Sequence, residues 1–171
     1  KTYILLVNPT EGNLNTINYL VKNKLLKVKA SKVKFVGIYH EDQNYNFNRS
    51  KNFIRQNKLS NFYLHEVKGK LNTDSLFFEN NLSASLKELF NNSAGTIFFG
   101  GPDIPPKIYN QKNIHSKVTD PNRHYFELTF LFHLIGGYQN ESLIPYLDEN
   151  PDYFITGFCL GLQTMNVAAG G

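Results

Sequence analysis

Cysteine is almost missing from this chain. One residue of 171, Cys159, carries a thiol. That excludes an internal disulfide and a thiolate zinc site, and leaves a choice between an inert buried thiol and a reactive one. Long apolar runs are missing as well. No stretch approaches the roughly 20 residues that cross a bilayer, so no membrane segment is expected. Nor is there a strong excess of positive charge. The net charge is +4, and Lys22, Lys24, Lys27, Lys29, Lys32 and Lys34 are mixed among core-type residues instead of forming a stripe with stacking aromatics. Nucleic acid is therefore not an expected partner. The stretch opens on Lys1 with neither an initiator Met nor a visible leader, so a cytoplasmic location is favoured and export stays open. What remains is an ordinary folded balance of 41% hydrophobic and 19% charged residues, long enough for one domain with a real core.

Five short runs rich in β-branched and aromatic residues read as strands: Tyr3–Val7, Val33–Tyr39, Phe62–Val67, Thr96–Phe99 and Tyr153–Phe158. Helical spacing fills the gaps. Leu14, Ile17, Val21 and Leu25 share one face, as do Phe78, Leu82, Leu86 and Leu89, and a weaker helix is expected from Asn48 to Asn57. The best-marked helix has Asp120 as N-cap, Pro121 in its first turn and Gly136-Gly137 as its stop. Its middle, YFELTFLFHLI, is apolar on nearly every side and should be buried. Mostly apolar strands alternating with helices imply a parallel sheet covered on both faces. The expected fold is α/β, a three-layer sandwich with a mostly parallel central sheet. Ligands of such sheets sit outside the carboxyl ends of the strands. That directs attention to Asn8–Asn13 and His40–Asn46, which are polar but undistinctive, and to Gly100–Lys117 and the turn at Cys159, which are not.

Strand Tyr153–Phe158 followed by helix Leu160–Ala169 puts Cys159 on a sharp strand-to-helix turn, a nucleophile elbow. Gly157 and Gly161 flank it at two residues' distance, where bulkier side chains would collide with the neighbouring helix and strand. A sulfur at a helix N-terminus also faces unpaired N–H groups that stabilise negative charge. Gln163, four residues on, lies on the same helix face as Cys159.

The stretch GFCLGLQ resembles the G-x-C-x-G-x-Q nucleophile motif of class I glutamine amidotransferase-like proteins, whose fold is flavodoxin-like. GTIFFGGPDIPPKIY, residues 95–109, looks like that family's strand and Gly-Gly oxyanion loop. Together with Arg123 and Glu127 in an R-x-x-x-E helix and the NVAAGG ending, it is most similar to the gamma-glutamyl hydrolase (gamma-glutamyl peptidase) branch. These features run from about residue 95 to 171; upstream, only the α/β rhythm matches. The resemblance implies that Cys159 attacks the side-chain amide of a small gamma-glutamyl or glutamine-like substrate and forms a thioester, without metal or organic cofactor. The backbone N–H of Leu160 and the Gly100–Gly101–Pro102 turn would hold the oxyanion; Pro102 has no N–H, so Gly101 is the expected donor. Gln163 would orient the substrate's amino-acid end. The chain departs from the branch at Tyr109-Asn110, commonly Tyr-Gly, and at Arg123-His124, often Arg-Asp. Taken from the residues alone, Arg123 and Glu127 at i and i+4 read as a helix salt bridge, with a role near the substrate as the alternative.

The family's catalytic His, with a Glu two residues beyond it, lies well after the cysteine, and no H-x-E pair occurs in these 171 residues. His124 and His133 are nine residues apart, about 180° around their helix, and cannot share a pocket. His133 and His65 read as core residues; His40 and His115 lie near the ligand edge. The expectation is one domain over residues 1–171, truncated on its C-terminal side, with the base beyond Gly171. The alternatives are the glutaminase part of an amidotransferase that feeds ammonia to a synthetase, and an inactive binding module of the same fold. A homo-oligomer is left open.

Overall fold

The computed structural model describes residues 3–26, 28 and 32–171; Lys27 and Lys29, two of the scattered lysines, lie outside them. The first strand explains the layering. β1 (Tyr3–Val7) sends Ile4 and Leu6 to one face and Leu5 and Val7 to the other, and all four are buried. A strand apolar on both sides needs helices on both sides. β2 (Lys34–His40), β3 (Phe62–Val67), β4 (Ser93–Phe98) and β5 (Phe154–Gly157) join β1 in the order β3-β2-β1-β4-β5, every pairing parallel. α1 (Glu11–Lys22) and α2 (Asn48–Gln56) cover one face, with Leu14 and Ile17 fully buried against Phe35 and Ile97. α3 (Ser83–Asn92), α4 (Pro121–Ile135), the short α5 (Tyr146–Glu149) and α6 (Leu160–Ala168) cover the other through Leu86, Phe90, Phe126, Phe130 and Leu160. The molecule is the three-layer, flavodoxin-like α/β sandwich expected from its sequence. Among the described residues no helix is long and apolar enough to cross a membrane.

Local chemistry sets the element ends. Thr10 and Asn13 form a reciprocal capping box that starts α1. Asp120 accepts the Arg123 N–H at the start of α4, and Gly136, at φ 67°, ends it. Two helix-face residues fall outside their helices. Lys24 turns left-handed at φ 57° just after α1, which leaves Leu25 outside it and 64% exposed. Asn80 accepts the Leu82 N–H and donates its own to Ser83, so α3 starts late and Phe78 lies 48% exposed before it. His65, expected in the core, is exposed because β3 is an edge strand that buries only Phe62 and Val67.

The strand order reverses between β1 and β4. The crevice outside their carboxyl ends is where such sheets take ligands, and it is bounded here by Asn8 after β1 and by Phe99–Gly101 after β4. The edge strand β5 is docked from below by Tyr153, whose buried hydroxyl hydrogen-bonds to Ser93 and Thr96 of β4. Tyr153→Phe leaves Thr96 without this partner, so unfolding in urea should occur at a lower midpoint with unchanged slope, a loss of about 1–3 kcal/mol. An unchanged midpoint would show that the hydroxyl does not hold the edge.

Candidate active site

Between β5 and α6 only Phe158 and Cys159 make the turn. Phe158 donates to the Phe98 carbonyl at 2.9 Å and carries the β4–β5 ladder up to the bend. Cys159 then takes φ 53° and ψ −116°, a backbone conformation that costs a non-glycine residue about 1–3 kcal/mol. Its side chain is exposed. The flanking glycines have distinct jobs. A Cβ on Gly157 would come within 2.6 Å of the Leu162 nitrogen, and one on Gly161 within 2.5 Å of the Phe98 carbonyl oxygen. The first lets the strand run under the helix; the second lets the helix lie on β4.

The loop after β4 stands directly against this turn. A Cβ added to Gly100 would lie 3.1 Å from Cys159 Cβ and 3.6 Å from its Sγ. Leu160 is the first residue of α6, where N–H groups have no partner inside the helix. Gly100, Cys159 and Leu160 are therefore brought together. Gln163 is exposed and, with Leu160, lines an adjoining cavity of about 300 Å³ shared with Asp103, Tyr109 and His115. On the other side of the glycine loop lies a cavity of about 460 Å³ bounded by Asn8, Gln43, Asn44, Gly100, Gly101 and Arg123.

Behind the loop runs a buried polar chain. Gln43 donates to Asn8 Oδ1 at 2.6 Å, and Asn8 Nδ2 donates to Glu127 Oε1 at 2.9 Å. The same oxygen accepts from Arg123 Nε at 2.9 Å. Arg123 Nη2 donates in turn to the carbonyls of Gly100, at 2.8 Å, and Phe99, at 3.3 Å. The i,i+4 salt bridge read from the sequence is thus present, but fully buried at Glu127 and continued into the loop. Burial pushes the Glu127 carboxyl above its ordinary range, against the pull of Arg123 and Asn8. Asn8 and Gln43 belong to the two loops that looked undistinctive. The readable signal was Asn8 itself, an amide closing an apolar strand: it stands at φ 52°, a region asparagine tolerates better than most residues.

A family model for peptidase C26 matches residues 34–171, most of the chain. The chain belongs to the peptidase C26 family. It thereby joins the class I glutamine amidotransferase-like proteins, and the membership carries a cysteine-type peptidase or amidotransferase-like activity. The match reaches upstream to β2, well beyond the motif-bearing residues 95–171. No curated protein and no solved structure matches the chain.

Both departures from the gamma-glutamyl hydrolase pattern have a structural reading in this C26 peptidase. Asn110 stands at φ 59°, the left-handed region that a glycine enters freely. His124, where an aspartate is common, is fully buried, and neither ring nitrogen finds a hydrogen-bond partner. Of the other histidines two are engaged elsewhere, one lies on the edge strand and one borders the adjoining cavity. His40 accepts from the Asp42 N–H through Nδ1, so its Nε2 donates to the Gly69 carbonyl at 2.7 Å. His133 donates from Nδ1 to the Thr129 carbonyl and accepts from the Ser83 hydroxyl at Nε2. His65 faces solvent on β3, and His115 lines the cavity beside Gln163. Among the described residues no histidine hydrogen-bonds to Cys159, and no cluster of three or more His, Cys, Asp or Glu is arranged to hold a metal.

Burial, with the Arg123 guanidinium adding to it and Asp103 opposing, lowers the His124 pKa from 6.5 to about 4. Between those values the unfolded chain binds more protons than the folded one, so stability rises with pH across this window and levels off above it. The contribution is about 3 kcal/mol between pH 4 and 6.5. In His124→Leu this part of the pH slope should vanish, with stability at pH 7 equal to or above wild type; His133, lowered in the same direction by burial, keeps the remaining slope. Urea unfolding at several pH values checks this, and an unaltered slope in the variant refutes it.

Proposed function

We propose that this C26 peptidase hydrolyses a gamma-linked amide of glutamate through a glutamyl thioester on Cys159. The observation that carries the reading is the direct approach of the glycine loop to the elbow, Gly100 against the exposed sulfur. In this reading the thiolate adds to the side-chain amide carbon, and the carbonyl electron pair moves onto oxygen. The N–H groups of Leu160 and Gly101 receive that oxyanion, a contribution of about 3 kcal/mol per donor in comparable hydrolases. Collapse breaks the C–N bond and the amine leaves with a proton. Water then adds to the thioester, the C–S bond breaks, and free glutamate departs as the thiol is restored. Gln163 orients the amino-acid end from the adjoining cavity, and neither a metal nor an organic cofactor takes part.

The proton acceptor is a histidine, since the thiol must lose a proton and the leaving amine must gain one. None of the five in this stretch hydrogen-bonds to Cys159. The resemblance implies that this His, with a Glu two residues after it, comes well after the cysteine in sequence.

A gamma-glutamyl anilide, whose amine is coloured when released, tests the mechanism on the intact gene product. Cys159→Ala should lower kcat by about 10³-fold or more, and iodoacetamide should abolish turnover as it labels Cys159. Undiminished release from fully alkylated protein ends this mechanism. Turnover confined to glutamine, stimulated by a synthetase partner, would identify the ammonia-supplying reading instead.

A further inference from the structure

The resemblance supplies a glycine loop but does not say what holds it, and flexible Gly-Gly turns do not aim their amides unaided. We propose that Arg123 is a positioning residue, backed by Glu127, Asn8 and Gln43, which turns the N–H groups of the Gly100–Gly101 loop toward the sulfur side of the crevice. Its catalytic consequence rests on the hydrolase reading above.

The geometry begins with the peptide unit. In a trans peptide the C=O and the following N–H point in opposite directions. The Phe99 carbonyl shares its plane with the Gly100 N–H, and the Gly100 carbonyl shares its plane with the Gly101 N–H. Arg123 Nη2 holds both carbonyls, at 3.3 and 2.8 Å. Both amides of the loop must then face away from the guanidinium. One rigid group sets two donors at once.

The guanidinium is fixed in turn. Its Nε is bonded to Glu127, and Glu127 is fully buried with Asn8 on the same oxygen. Asn8 is oriented by Gln43 on the β2 side of the switch point. Arg123 also lies flat against the loop: a Cβ on Gly101 would come within 1.9 Å of Nη1. Gly101 is thus required for this close seat. A lysine ammonium presents its donors from a single point and cannot span Glu127 and two carbonyls together. Residues from four separate segments, after β1, β2 and β4 and at the head of α4, meet in this chain. That joint dependence is what a loop needing fixed amide directions requires.

Kinetics on the intact gene product test the proposal. Arg123→Ala should lower kcat about 10²-fold, the size of losing one oxyanion donor. KM for the gamma-glutamyl anilide should stay within about threefold, and the rate of Cys159 alkylation, which needs no oxyanion support, within about twofold. Low, non-denaturing guanidinium should restore at least about tenfold of the lost kcat through the open 460 Å³ cavity, whereas methylammonium should not. Arg123→Lys should remain as impaired as Arg123→Ala. A kcat within threefold of wild type, or a loss carried wholly by KM, overturns the proposal. Should Arg123→Ala fail to fold, Gln43→Ala at the outer end of the chain replaces it, with an expected fall in kcat of about three- to tenfold.

A second measurement separates this proposal from the hydrolase reading. Even in a protein that releases no amine, and so fails that reading, Arg123→Ala should shift the Gly100 and Gly101 amide resonances and lower their order parameters while those of Leu5 and Ile97 stay unchanged. Unchanged glycine order parameters and shifts overturn the positioning role whatever the activity.

Discussion

Two backbone carbonyls, those of Phe99 and Gly100, turn inward onto one guanidinium, and the crevice is arranged around that contact. A carbonyl left unpaired away from water costs about 1–3 kcal/mol, so the loop takes this shape only with a donor beneath it. A buried guanidinium is costlier still unless its own charge is met. Glu127 meets it, and Asn8 braces Glu127. The requirement propagates backward, one buried polar group calling for the next, until it reaches Gln43 at the half-exposed rim.

This dependence explains the composition of α4. The helix leaves the carboxyl end of β4 and returns along the sheet, so its first turns stand at the ligand edge and its last turns lie in the core. Arg123, His124 and Glu127 occupy the first part, while Phe130, Leu131, Phe132 and Leu134, with the hydrogen-bonded His133 among them, fill the second. Local rules are broken at the same edge. Cys159 and Asn8 both take positive φ, one oxygen of Glu127 has no hydrogen-bond partner, and neither does either nitrogen of His124. Lys24, Lys58 and Asn110 also take positive φ, and Thr129 and Gln139 each carry a buried oxygen without a partner, so such departures are not confined to this edge. Those beside the sulfur are the ones expected where a fold holds a reactive arrangement at the expense of stability.

Much of this could be read along the chain. The strands appeared within a few residues of their runs because apolar residues buried on both faces leave an uninterrupted signal, as in YILLV. Asp120, Pro121 and Gly136 marked the ends of α4 because capping is a contact between near neighbours. The collisions expected at Gly157 and Gly161 are those found, with the helix and with β4, because a strand-to-helix turn of two residues leaves little freedom. Periodicity failed where a side-chain hydrogen bond or a left-handed residue interrupted it, as at Phe78 and Leu25. It failed at His65 because one sequence cannot say which strand will lie at an edge. Asn8 and Gln43 went unnoticed because a polar loop residue looks the same whether it faces water or a buried carboxylate 119 positions away.

By itself, then, the order of residues determined the α/β rhythm, the helix termini and the sharp bend that lifts Cys159. All of these arise from contacts spanning a few residues, and their rules are local steric and hydrogen-bond rules. Only the tertiary structure decided that β4 returns beside β1, that Gly100 meets the sulfur, and that Arg123 closes a chain begun at Gln43. Those outcomes join segments tens of residues apart. They are chosen by which packing buries the most apolar surface while leaving the fewest polar groups unpaired, a condition on the whole molecule that no short stretch can express.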